Sequence, residues 1–189
     1  MKITLRLAVC TASLFVAFPL LAQNGSDHSG HDNDGNSAGH RQDAPHGFGD
    51  RSVVLSTPAQ TAAVSNAVAS VTSALRSGSL TTSSGAIIPA AAQANTYAVM
   101  TSDAAKSTSA ARLSAALSTA GSGASAIVPA LVSGFSALRS NPAVLPSVVA
   151  TYNKFTNAAS ASFIAKPPAE FLAMRVVLAQ LTAAAASAQ

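Results

Sequence analysis

Apolar side chains recur along this chain at the spacing of a helix. In the stretch LPSVVATYNKFTNAA, Leu145, Val148, Val149, Tyr152, Phe155 and Ala159 fall at i, i+3, i+4, i+7, i+10 and i+14. Those positions share one face of an α-helix. Asn141-Pro142 upstream offers a capping residue followed by the proline favoured at the first helical position. Pro146 lies one turn in and predicts an irregular first turn. The stripe carries two of the few bulky side chains in a chain of small residues. The rest of the protein is expected to pack around it.

The same period marks the other elements. Thr57-Pro58 opens a helix to Ser77 with Val64, Val68, Val71 and Leu75 on its apolar face and Gly78 as its stop. Residues 79–85 form a Ser/Thr-rich loop. Residues 89–101 are mainly alanine, with Tyr97, Val99 and Met100. The helix either continues through Ser102-Asp103 or, the preferred reading, breaks there before a segment ending near Thr119, in which Leu113 and Leu117 lie one turn apart. Gly121-Ser122-Gly123 reads as a flexible linker. Residues 126–139 align Ile127, Leu131, Phe135 and Leu138. The Leu145 helix follows, to about Ser160, and Lys166-Pro167-Pro168 breaks the chain again. Residues 168–185 align Phe171, Met174, Leu178 and Leu181, with Glu170 in the first turn, where a carboxylate suits the helix dipole.

These elements predict an all-α fold, a compact bundle of five or six short Ala/Ser-rich helices with short connections. Two features pull against it. Ser and Thr lower helix propensity, and residues 96–101, TYAVMT, alternate enough to suit a strand, so α+β is the second reading.

The first fifty residues follow other rules. Lys2 and Arg6 precede an apolar run over residues 7–21, and Ala22 is a small residue at its end. This is the pattern of a cleaved export signal over residues 1–22, too short for a comfortable membrane span. Cys10, the only cysteine, would leave with it. The mature chain would then carry no disulfide in its oxidising destination and would depend on burial alone. Residues 23–50 are rich in Gly, Asp, Asn, Ser and His and have few apolar side chains, Phe48 chief among them. They predict a disordered arm, because too little surface can be buried to offset ordering entropy. Residues 51–189 form the helical domain.

Charge divides the same way. Residues 23–50 hold one arginine against five aspartates, a net −4, whereas residues 51–189 hold eight Lys/Arg against two acids, a net +6. The eight cations are spread along the body with no stripe of aromatics among them, which argues against nucleic-acid binding.

Candidate chemistry is concentrated in the arm. All four histidines, His28, His31, His40 and His46, lie there among Asp27, Asp32, Asp34, Asp43 and Asp50. Imidazole and carboxylate together suit Zn, Ni or Cu, and the two-residue gap between His28 and His31 can close on one metal. The candidate metal set is His28, His31, His40, His46, Asp27 and Asp32. Any binding should be weak, since nothing apolar holds the ligands' outer hydrogen bonds in place; a solvated leader is the plainer reading. A calcium loop fails, because with Gly35 as its glycine, Gly30 and Arg41 fall where carboxylates are needed.

The body is informative by what it omits. It has no His and no Cys, and its acids are Asp103 and Glu170 alone. General acid–base catalysis needs a group that titrates near working pH, and no serine is distinguished by its distance from Lys106, Lys154 or Lys166. No glycine-rich phosphate loop is present. No resident cofactor is expected. Tyr97 and Tyr152 read as core residues with the hydroxyl at the rim, and Met100 and Met174 as gap-fillers. Two echoes run through the body. Ser73-Ala74-Leu75-Arg76-Ser77 recurs as Ser136-Ala137-Leu138-Arg139-Ser140, and AIIPA at 86–90 recurs as AIVPA at 126–130. Their offsets, 63 and 40, share no period, so composition explains them better than a solenoid.

The expectation that results is an exported, non-enzymatic helical protein of the cell envelope or exterior, with a structural or partner-binding role and an unidentified envelope partner. Metal buffering by the arm is the first alternative. Weak membrane association is the second, because residues 77–102 and 113–138 carry no charge.

Overall fold

A computed structural model describes residues 53–101 and 107–188. Within them the chain is all-α, and residues 96–101 lie in a helix, not a strand. The elements are α1 (Pro58–Ser77), α2 (Ala90–Thr101), α3 (Ser107–Ser118), α4 (Ser122–Ser125), α5 (Val128–Ala137), a 3-10 turn at Pro142–Val144, α6 (Leu145–Ala158), α7 (Ala161–Ala165) and α8 (Ala169–Ser187). Six of the eight helices are the six expected. The other two, α4 and α7, are single turns that cover the expected linker and the stretch before Lys166. The proposed break at Ser102-Asp103 lies outside the described residues.

Local chemistry sets the helix ends. Thr57 caps α1 with its hydroxyl accepting from the Gln60 N–H at 3.1 Å, and Gln60 Oε1 accepts in return from the Thr57 N–H at 3.1 Å. This reciprocal pair satisfies two donors that the first turn cannot. Gly78 closes α1 at φ 71°, in the left-handed region where a side chain is disfavoured. Asn141 Oδ1 accepts from the Ala143 N–H at 3.2 Å and starts the 3-10 turn; the α-helical bonds of α6 begin only at Leu145. The irregular turn expected from Pro146 is there. Ser160 caps α7 by accepting from the Phe163 N–H at 3.3 Å, while its own N–H donates to the Ala120 carbonyl at 2.8 Å. That bond ties the end of α3 to the α6–α7 corner.

The apolar stripes all face inward. Val64, Val68, Val71 and Leu75 of α1, Leu131 and Phe135 of α5 with Leu138 just beyond it, and Phe171, Met174, Leu178 and Leu181 of α8 are buried in one continuous core. So are Leu145, Val148, Val149, Tyr152 and Phe155 of α6. Four rings gather where α6, α7 and α8 meet: Tyr152 stacks on Phe171 with centroids 5.2 Å apart, and Phe163 meets Phe171 edge-on at 5.1 Å.

Among the described residues the helix with the largest buried share is nevertheless α2, which touches α1, α3, α5 and α8, while α6 packs on α4, α5, α8 and the 3-10 turn. Seven of the twelve α2 residues are buried: Ala92, Gln93, Asn95, Thr96, Ala98, Val99 and Met100. Small side chains on every face let four helices approach, so α2 has no polar side to make it conspicuous in sequence. Close approach recurs between α5 and α6, where a Cβ added at Gly134 would lie 3.1 Å from Val148 Cγ2.

Candidate functional site

Polar side chains inside the bundle are used to hold it together. Gln93 is fully buried; its Oε1 accepts from the Leu80 N–H at 2.9 Å, and its Nε2 donates to the carbonyls of Ile88 at 2.7 Å and Gly78 at 3.0 Å. One amide thus closes the loop between α1 and α2, whose ends are joined by a single antiparallel bridge between Thr81 and Ile87. Thr96 and Thr156 return their hydroxyl protons to the carbonyls of Ala92 and Asn153. Asn95 Nδ2 reaches Glu170 Oε1 across the α2–α8 seam at 3.4 Å. Glu170 lies in the first turn of α8, as its charge predicts.

The two tyrosines part company. Tyr152 is buried down to its hydroxyl, so the hydroxyl is not at the rim as expected. Burial pushes the phenol well above its ordinary pKa, and the positive charge of Arg175 pulls it partly back. Tyr97 is half-buried and faces a groove. Met100 and Met174 are core residues, as expected.

That groove is the candidate site. Its volume is about 440 Å³, and it is lined by Ser65, Val68, Ala69, Thr72, Ser73 and Arg76 of α1, by Tyr97 of α2 and by Arg139, two residues past α5. The α1 residues fall at i, i+3, i+4, i+7, i+8 and i+11, one flank of the helix beside its core stripe. Arg76 and Arg139 are both exposed, while Leu75 and Leu138 before them are buried. The two copies of the Ser-Ala-Leu-Arg-Ser echo therefore anchor a leucine in the core and present an arginine to the same groove. The echo was legible in sequence; that its copies meet was not.

The candidate metal residues His28, His31, His40, His46, Asp27 and Asp32 lie outside the described residues, as do Asp103 and Lys106. Among the described residues no group of three or more His, Cys, Asp or Glu gathers. The helix α8 is long and apolar enough to cross a membrane by length and composition, but its Phe171, Met174, Val177, Leu178 and Leu181 are buried in the bundle. Compared with protein-family models, curated proteins and solved structures, the chain finds no match in any of the three.

Proposed function

We propose that this is an exported, non-enzymatic helical protein of the cell envelope or exterior that acts by binding a partner. The observation that carries this reading is where the polar groups lie. Residues 51–189 have no His or Cys, and the buried amides of Gln60 and Gln93 are engaged in capping and loop closure. What the described surface offers is a contact face: the groove with Arg76, Arg139 and Tyr97. Export rests on Lys2, Arg6, the apolar run and Ala22. Cross-linking of the mature chain in envelope extracts tests the reading. One partner band, lost when Arg76 and Arg139 are both changed to Gln, is expected; no specific band would sink it.

Metal buffering by residues 23–50 is kept as a second reading because all four histidines cluster there. Calorimetry with Zn²⁺, Ni²⁺ and Cu²⁺ on the mature chain, and on a variant with His28, His31, His40 and His46 changed to Ala, separates the two. Binding through imidazole weakens as pH falls and the ring is protonated. Tight stoichiometric binding lost in the variant would favour metal; its absence favours the partner.

A further inference from the structure

We propose that the groove beside α1 binds a phosphoryl group carried by a small organic body, with Arg76 and Arg139 grasping its oxygens from two walls. Three observations lead there. Two guanidinium groups from segments 63 residues apart line one groove, although like charges repel and exposed arginines are free to be placed elsewhere. Among the described residues no acid lines the groove, and neither arginine has an ion-pair or hydrogen-bond partner there. Hydroxyl donors stand along the same wall: the side chains of Ser65 and Ser73 are exposed and make no hydrogen bond among the described residues. Thr72 is different, since its proton is committed to the Val68 carbonyl at 2.6 Å.

The choice of phosphoryl follows from geometry. A single carboxylate is satisfied by one arginine fork. A phosphoryl group offers at least three oxygens and up to two charges, enough for forks on opposite sides with hydroxyls between them. The arginine at the end of α1 complements that helix's dipole, but the dipole does not explain why a second arginine faces the same space. The groove runs along the flank of α1 from Ser65 to Arg76, rather than off its carbonyl end, where an anion would be repelled. At about 440 Å³ it falls in the range of roughly 300–1,000 Å³ typical of small-molecule sites, so a bare ion would leave most of it empty. Val68 and Ala69 give the organic part an apolar floor.

This inference deepens the partner-binding reading and can fail separately from it. The test is calorimetry of the full mature chain at low salt with glycerol 3-phosphate, alongside flotation with phosphatidylcholine vesicles with and without phosphatidic acid. Each is repeated on Arg76→Gln, Arg139→Gln and, as an exposed arginine outside the groove, Arg112→Gln, with circular dichroism melts to confirm folding. Saturable binding that weakens about tenfold or more in either groove variant and is unchanged in Arg112→Gln is expected. Binding to the ester alone identifies a soluble phosphoester as the ligand, and binding to phosphatidic acid vesicles identifies a lipid headgroup. No saturable binding to either probe, or equal loss in Arg112→Gln, or none in the groove variants, overturns the site; a cross-linked partner that persists then leaves the broader reading standing.

Discussion

Phe171 touches Tyr152, Phe155 and Phe163 with centroids between 5.1 and 5.7 Å, so the four rings behave as one unit. Phe155→Asp or Val148→Asp places an unpaired charge in that interior and should unfold the domain, visible as loss of the cooperative circular dichroism melt. Tyr152 makes a subtler prediction. Its folded-state pKa is raised above the unfolded value of about 10, so its contribution to stability is complete below about pH 10 and is lost as pH climbs toward the folded value. Urea titrations at pH 9 to 11 should show steeper destabilisation in the parent than in Tyr152→Phe, by up to about 1.4 kcal/mol per pH unit; parallel profiles would refute it. Two glycines test packing. Gly123→Ala meets Ala158 at 3.7 Å, an ordinary contact, and should be neutral or stabilise by up to about 1 kcal/mol. Gly134→Ala meets the buried, β-branched Val148 at 3.1 Å, where little can give way, and should destabilise despite the same propensity gain. Neither distance is legible in sequence, because both depend on how two helices cross.

Helices with a stripe are legible down to the face they bury; the helix without one is legible only as a helix. The α1, α5, α6 and α8 segments announce themselves because bulky apolar residues recur against Ser, Thr and Ala. Segment α2 is legible as a helix, but its burial is not, since alanine, threonine and asparagine give no contrast between faces. The echoes also make sense at this scale. SALRS closes α1 and α5, and AIIPA and AIVPA open α2 and α5. They mark helix ends, which is why no single period relates them. The α1–α2 loop is held by Gln93, and nothing in sequence marks that glutamine. Gln93→Ala leaves the Leu80 N–H and the Gly78 and Ile88 carbonyls without their side-chain partner. It should cost about 1–3 kcal/mol in urea denaturation, with faster amide exchange at Leu80. Gln93→Glu should cost more, because it loses two donors and buries a charge.

At the scale of the whole molecule, the chain divides by composition into a part with a core and a part without the means to build one. The groove shows the limit of that reading. Both arginines were counted as scattered charge, since residues 63 apart become neighbours only when α1 and the end of α5 are brought together through the core. The division itself leads to a direct measurement. The core among the described residues is assembled from Val64 onward, with Val53 and Leu55 packed against its edge. Residues 23–50 have Phe48 as their chief apolar side chain, so they have little area to bury. A change of 1 kcal/mol moves the midpoint of a domain of this size by about 2–8 °C. Thermal melts of the mature chain and of a version starting at Arg51, both in chelator, should therefore agree to within about that interval. A loss of many degrees on deletion would mean that the arm packs as structure. A loss at low salt that vanishes at high salt would instead locate the arm's effect in its charge, −4 against a +6 body, where screening over about 10 Å or less removes it.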